Sequence, residues 1–188
     1  MKIPVASLLG LLFVLSEVAL ATFKRAKSGE ARDADRGSLL LLWGVIVLAV
    51  NLAYFMPSLV PSLSFGQRGL YIDAGAAVFA AGLALRWYAI LYLGRFFTVN
   101  VAISRDHRLI DTGPYRLIRH PSYTGALMAF LGLGLCIGNW ASLAAMLIPT
   151  LLVFSWRIRV EEQALSGALG EPYLTYMQRT KRLVPAIY

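Results

Sequence analysis

The sequence is poor in residues that bind transition metals: it has one cysteine and two histidines in 188 residues. The single Cys136 lies in an apolar run and has no partner for an internal disulfide. The Cys-x-x-Cys and His-x-x-x-His spacings of common zinc sites are also missing. The sequence therefore predicts no metal site.

Charged residues are scarce as well, at 15% of the chain, whereas hydrophobic residues make up 58%. Soluble domains are usually about 45–50% apolar, so this composition predicts an integral membrane protein. The net charge of +8 would suit nucleic acid, but the basic residues adjoin apolar runs and form no separate polar domain. We therefore expect no nucleic-acid partner.

Apolar runs long enough for a bilayer, which takes about 20 residues, predict an all-α membrane protein with about five spans. The first run could instead be a cleaved signal peptide ending near Ala19-Leu20-Ala21, but its length and the basic residues after it favour a retained helix. Only Gly138-Asn139 separates the last two runs, which predicts a helical hairpin. The predicted spans are residues 3–23, 39–60, 70–93, 121–138 and 140–156.

We expect one membrane domain over residues 1–188, with three spans in 1–93 and the cofactor-binding and catalytic region in 94–188. The distribution of Lys and Arg predicts the orientation, because cytoplasmic loops are enriched in both. Segments 24–38, 94–120 and 157–188 hold five each, and the opposite side holds only Lys2 and Arg68. The N-terminus is therefore predicted to be non-cytoplasmic, and the 94–120 loop and the C-terminal segment cytoplasmic.

Two charged residues, Glu17 and Arg86, fall inside predicted spans. Charges in hydrocarbon are costly and must face protein, water or each other. A structural role is favoured for each, and the sequence leaves open whether they pair. Glycines 132, 134 and 138 resemble fragments of a dinucleotide-binding motif, but no strand precedes them, so close helix packing is the better interpretation.

The polar residues with the clearest chemical potential lie where the fourth span begins, in the segment GPYRLIRHPSYTG of residues 113–125. Pro121 suits the first position of a helix. Ser122 and Tyr123 would then present N–H groups and hydroxyls at the positive end of the helix dipole, which favours a carboxylate ligand. The alternative is a helix start at the membrane interface with an aromatic anchor.

A second charged cluster follows the fifth span. Arg157 and Glu161 are four residues apart and share one helix face. A surface ion pair would contribute only about 0.3–0.5 kcal/mol, and Arg before Glu is the less favourable order, so separate ligands for the two side chains are plausible. The tail with Pro172, Tyr173 and Tyr176 predicts a short cytosolic amphipathic helix that anchors at the membrane surface or covers a cofactor.

Residues 94–185 resemble the isoprenylcysteine carboxyl methyltransferase family of small integral-membrane methyltransferases, which has phospholipid N-methyltransferases as relatives. The resemblance rests on Gly113-x-Tyr115, Arg119-His120-Pro121-Ser122-Tyr123-x-Gly125, Glu161-Glu162 and Gly170-x-x-Tyr173-x-x-Tyr176. It implies S-adenosylmethionine as cofactor and a lipophilic methyl acceptor at the cytosolic membrane face, with a carboxylate of isoprenylcysteine type favoured and a thiol or amine left open.

The same resemblance implies roles for individual residues. Arg157 would orient the acceptor and Glu161 would contact the cofactor, which makes these two the expected catalytic residues. The expected cofactor-binding residues are Asn100, His107, Arg108, Leu109, Ile110, Tyr115, His120, Pro121, Ser122, Tyr123 and Glu161.

Two other classes of protein stay open. Some sterol or lipid reductases have a related membrane fold and use NADPH, whose 2′-phosphate could pair with Arg105, Arg108 and Arg116. A non-catalytic membrane scaffold or small transporter would keep the helices without the chemistry. Membrane lipids and a lipophilic substrate are the expected partners, with no obligate protein partner.

Overall fold

The computed structural model of the chain describes residues 4–23, 33–66, 68–97 and 108–188. Regular secondary structure in these ranges is helical, apart from the isolated bridges Ser64–Asn139 and Ile118–Lys181. This confirms the all-α prediction. The helices are α1 (Val5–Phe23), α2 (Asp33–Leu59), α3 (Arg68–Leu93), α4 (Pro121–Ile137), α5 (Trp140–Leu169) and α6 (Glu171–Arg179).

Four of these helices, α1, α2, α3 and α5, are long and apolar enough to cross a membrane. The fourth predicted span corresponds to α4, which has 17 residues, at the lower limit of about 17–25 residues for a spanning helix. The predicted total of five spans therefore stays a prediction.

Helix α5 continues past the predicted span, which ended at residue 156, as the shared helix face of Arg157 and Glu161 predicted, and it ends at Leu169. Charged residues such as Arg157 and Glu162 mark the end of an apolar run but do not stop a helix. Buried positions continue at helical spacing through Phe154, Ile158 and Glu162, so packing against neighbouring elements supports the extra turns.

Helix α4 lies against α1, α2, α3 and α5, and among the described helices its contact with α3 is the most extensive. A Cβ atom added at Gly132 would lie 2.4 Å from the Gly75 carbonyl oxygen, and one added at Gly125 would lie 2.6 Å from the Gly82 carbonyl oxygen. The two backbones are therefore in direct contact. Small residues permit such an approach between membrane helices, which confirms helix packing as the role of Gly132.

The hairpin between α4 and α5 forms as predicted. Gly138 adopts φ +80°, the left-handed conformation that ends α4. The Asn139 side-chain oxygen then accepts from the Ala141 and Ser142 N–H groups at 2.9 and 3.1 Å, capping α5. Its amide group donates to the Val60 carbonyl at 2.9 Å, which attaches the end of α2 to the hairpin.

Glu17 and Arg86 pair with each other, which answers the question that the sequence left open. The Arg86 Nε and Nη2 atoms lie 2.7 and 2.8 Å from the two carboxylate oxygens of Glu17. Beside this pair, the Trp87 indole donates to the Ser16 hydroxyl at 2.8 Å. Helices α1 and α3 are thus joined by polar contacts at the end of the bundle where α4 begins.

Replacing Gly132 with Ala should destabilise the protein, because the new methyl group would meet the α3 backbone. Overpacking of this kind costs about 1–3 kcal/mol, and thermal unfolding in detergent measures it as a lower midpoint. The matched control is Gly44→Ala on α2, where an added Cβ meets nothing within 4 Å; its higher helix propensity should leave stability equal or slightly raised. Equal midpoints for the two variants would contradict the backbone contact.

Candidate active site

One end of the bundle brings together the start of α4, the last turns of α5, α6 and the 3-10 turn Gly113–Arg116. These are the segments that carry the family-like motifs. Their charged side chains meet around Glu162, while Glu161, the preceding residue of α5, lines a cavity that Arg119 and His120 also line.

The Glu162 carboxylate is the centre of an ion cluster and is only 3% exposed. Its first oxygen lies 2.7 Å from Arg119 Nε and 3.3 Å from His120 Nε2. Its second oxygen lies 2.9 Å from Arg182 Nε. Because three cationic or polar side chains already surround it, Glu162 ties α5 to the start of α4 and to the tail.

The tail also binds the backbone just before α4. The Arg119 and His120 N–H groups donate to the Lys181 and Arg182 carbonyls at 2.8 and 3.0 Å, and the Thr124 hydroxyl donates to the Leu183 carbonyl at 2.8 Å. The start of α4 is therefore pinned by chain segments far apart in sequence.

These contacts correct one expectation about the start of α4. The Tyr123 N–H, which was expected to be available to a ligand, donates to the His120 carbonyl at 3.1 Å. Ser122 is buried, and its carbonyl accepts from Arg86 at 3.2 Å. The first turn is thus a packed structural unit, and the cavity beside it is formed by side chains.

A small cavity of about 60 Å³ lies between the 3-10 turn, α5 and α6. Six of the expected cofactor-binding residues line it: Arg108, Leu109, Ile110, Tyr115, His120 and Glu161. The sequence did not predict the other residues that line the cavity, although it suggested that the tail covers a cofactor. These residues are Leu93, Phe96, Arg119, Leu165, Leu169, Tyr173 and Tyr176.

The remaining expected cofactor residues lie elsewhere. Asn100 and His107 fall outside the residues that the structure describes. Pro121 and Ser122 are buried in the first turn of α4 and do not line the cavity. Tyr123 does not line the cavity either, but its hydroxyl donates to a Glu161 carboxylate oxygen at 3.1 Å.

Arg157 is buried to 1% exposure and lies on the same side of α5 as Glu161. Its guanidinium bonds the Ser38 hydroxyl on α2 and the Tyr123 hydroxyl on α4. The Tyr123 hydroxyl therefore contacts both Arg157 and Glu161, which places the two expected catalytic residues in one hydrogen-bonded group.

Tyrosines of α6 close the cavity on its outer side. The Tyr176 hydroxyl donates to the Tyr115 carbonyl at 2.6 Å. Burial raises the pKa of Tyr176 to about 12, so this hydroxyl keeps its proton at physiological pH and remains a donor. Helix α6 thus turns Tyr173 and Tyr176 inward; its contact with a bilayer stays a prediction.

The Tyr115 segment is held in place by α3. The Tyr115 hydroxyl donates to the Ala89 carbonyl at 3.2 Å, and Gly113 adopts φ +56° with no room for a side chain, because an added Cβ would lie 2.5 Å from the Tyr92 ring. The positive φ therefore favours the glycine of the Gly113-x-Tyr115 motif, and any side chain there would also displace the Tyr92 ring.

Glu162→Gln should strongly destabilise the protein, because it leaves buried Arg119 without its counter-charge. Removing one partner of a buried ion pair costs about 3–5 kcal/mol, measured by unfolding in detergent. Glu161→Gln is the matched control: it loses at most one hydrogen bond to Tyr123, worth about 0.5–1.5 kcal/mol. If both variants unfolded at the same midpoint, the ion cluster would not be what holds this end of the bundle.

Comparison with known proteins agrees with this geometry. The isoprenylcysteine carboxyl methyltransferase family profile matches residues 75–167. The chain is 35% identical over 152 residues to protein-S-isoprenylcysteine O-methyltransferase B of Arabidopsis thaliana, covering 80% of this chain and 74% of the relative. It is 32% identical over 120 residues to the Schizosaccharomyces pombe protein-S-isoprenylcysteine O-methyltransferase, covering 63% of this chain and 51% of that protein.

A solved structure gives the same result at the level of the fold. The eukaryotic intramembrane Ras methyltransferase, an isoprenylcysteine carboxyl methyltransferase, aligns with a TM-score of 0.64 and 26% identity over 95% of this chain. The present chain spans 64% of the length of that protein. On these grounds, the chain belongs to the isoprenylcysteine carboxyl methyltransferase family and is a membrane carboxyl O-methyltransferase.

Proposed function

We propose that the chain transfers a methyl group from S-adenosylmethionine to the carboxylate of a lipophilic, isoprenylcysteine-type acceptor at the cytoplasmic membrane face. The observation that carries the proposal is the cavity beside Glu161, which six of the expected cofactor-binding residues line. Glu161, which lines the cavity, accepts from the Tyr123 hydroxyl that also contacts Arg157, so the proposed cofactor site is linked to an anion-binding group.

The cavity residues suit the chemical groups of this cofactor. The Glu161 carboxylate can accept hydrogen bonds from an ammonium group or from ribose hydroxyls. The rings of Tyr115 and Tyr173 can attract a sulfonium cation, and Arg108 can pair with a carboxylate. The cavity of about 60 Å³ is smaller than the roughly 300 Å³ of the smallest ligand pockets, so a wall must move outward when the cofactor binds.

The bound cofactor would supply an electrophilic methyl group. The chain's own residues would then align the acceptor and exclude water, which are the main requirements of a displacement reaction. We assign the aligning role to Arg157. Its guanidinium is buried, and because buried surroundings screen charge only weakly, it would attract a carboxylate strongly. A carboxylate is already deprotonated, so the site needs no general base.

The charge distribution supports a cytoplasmic site. Arg116, Arg159 and Arg179 belong to the elements around the cavity, and Lys181 and Arg182 lie in the tail that follows α6. The positive-inside rule places such a cluster on the cytoplasmic side.

A groove between α1 and α2 supports a lipophilic acceptor. It has a volume of about 520 Å³, its floor is Phe130 and Leu133 of α4, and its lining is almost wholly apolar. On α2 the groove extends to Trp43, which lies five residues, or about 7.5 Å of helix rise, from the Ser38 hydroxyl that contacts Arg157. A hydrocarbon chain in the groove would thus bring its polar end toward Arg157.

The reductase alternative gains no support from the cavity. Of the arginines that an NADPH phosphate would need, Arg108 lines the cavity, Arg116 does not, and Arg105 lies outside the described residues.

Calorimetric titration of S-adenosylhomocysteine into the detergent-solubilised protein tests the cofactor proposal. We expect binding, and we expect Glu161→Gln to weaken it by about 10–100-fold, because a hydrogen bond to a charged group contributes about 1.5–3 kcal/mol. Glu171→Gln, an acid-to-amide change at an exposed position of α6, should leave the Kd within twofold. Binding of NADPH alone, in a parallel titration, would contradict the proposal.

Filling the groove should weaken acceptor binding. Val47→Trp would occupy the groove and raise the KM for an S-farnesylcysteine acceptor by about tenfold, while the Kd for S-adenosylhomocysteine stays unchanged. Leu48→Trp is the matched control, because Leu48 is similarly exposed at 61%, against 56% for Val47, but lies outside the groove lining. An equal rise in KM for both variants would exclude the groove as the acceptor's path.

A further inference from the structure

The Arg86 guanidinium contacts two elements at once. Its Nε and Nη2 atoms bind both carboxylate oxygens of Glu17 on α1, at 2.7 and 2.8 Å. Its remaining nitrogen, Nη1, donates to the Ser122 carbonyl on α4 at 3.2 Å. The side chains of Arg86 and Glu17 are only 12% and 8% exposed, so the guanidinium is bound on both sides within the protein.

The position of Arg86 relative to α4 is fixed by the backbone. A Cβ atom added at Gly125 would lie 2.5 Å from the backbone nitrogen of Arg86 and 2.6 Å from the Gly82 carbonyl oxygen. Since no side chain separates α3 from α4 here, the Arg86 Cα cannot shift without moving α4. The Arg86 backbone, from which the guanidinium extends to the Ser122 carbonyl, is therefore held in one position relative to α4.

Ser122 lies between the residues that the proposed function needs. The next residue is Tyr123, whose hydroxyl donates to Glu161 at 3.1 Å and contacts Arg157. Two residues before Ser122 is His120, which lines the cavity and lies 3.3 Å from Glu162. A shift or rotation of this first turn would move both side chains relative to the cavity.

We propose that Arg86 is a positioning residue for the cofactor site, with Glu17 holding its guanidinium so that it donates to the Ser122 carbonyl. The inference rests on the proposed function. Glu17 balances the charge, which makes an arginine tolerable inside a membrane bundle. The fork of arginine places separate nitrogen donors toward the two partners, whereas the donors of a lysine all lie on one nitrogen.

A neighbouring contact provides a matched control. The Trp87 indole donates to the Ser16 hydroxyl at 2.8 Å and so joins the same two helices, α3 and α1. It makes no hydrogen bond to α4 among those of the described residues. Trp87→Phe therefore removes one α1–α3 contact while keeping the donor to Ser122.

The test measures both the thermal stability and the Kd for S-adenosylhomocysteine of the detergent-solubilised 188-residue chain. The double variant Glu17→Met/Arg86→Met replaces a buried ion pair by apolar groups of similar size, which is often neutral or stabilising. We expect a melting midpoint near that of the wild type and a Kd raised about tenfold. Arg86→Lys should raise the Kd by a smaller factor, about threefold, and Trp87→Phe should leave it within twofold.

A merely structural role predicts a different pattern. If the double variant melts like the wild type and also binds S-adenosylhomocysteine like the wild type, the inference is overturned while the proposed function stands. The same holds if Trp87→Phe and Arg86→Lys weaken binding equally, a comparison that decides the matter even if the double variant does not fold. A wild-type protein that fails to bind S-adenosylhomocysteine overturns the proposed function and this inference together.

Discussion

Glycines at positions 75, 82, 125 and 132 let α3 and α4 approach until their backbones touch, and that contact positions two parts of the site, the start of α4 and the Tyr115 segment. Lipid chains are as apolar as leucine side chains, so helices inside a membrane gain little from hiding apolar surface and depend on close packing and polar contacts. The paired glycines fix how far α3 and α4 slide past each other. That register brings Arg86 to Ser122 and Ala89 to the Tyr115 hydroxyl.

Two adjacent carboxylates of α5 have different environments and so different uses. Glu162 is surrounded by Arg119, His120 and Arg182, and its hydrogen bonds to them stabilise the fold. Glu161 faces the cavity with a single contact, from Tyr123, among those of the described residues. Since a carboxylate can accept several hydrogen bonds, Glu161 keeps capacity for a ligand. This contrast follows from the 100° rotation between successive helix residues.

The sequence predicted the helical class, the helix positions and the hairpin, because apolar runs and the Gly138-Asn139 turn are local signals. The spacing of Arg157 and Glu161 also predicted a helix beyond residue 156, but the sequence was less informative about its end at Leu169, because tertiary packing supports the last turns. The family resemblance indicated Glu161 and His120 as cavity residues. It did not indicate Glu162 as the centre of the ion cluster, because Arg119 and Arg182 meet there only after folding.

The pairing of the tail with the start of α4 also affects the order in which the protein is assembled. The N–H groups of Arg119 and His120 donate to the carbonyls of Lys181 and Arg182. These two residues are synthesised after the whole of α4 and α5. During synthesis the hydrophobic helices can enter the bilayer while this end is still unfinished. A nascent chain could then have its hydrophobic helices in the membrane while the Arg119 and His120 N–H groups still lack the carbonyls with which they pair.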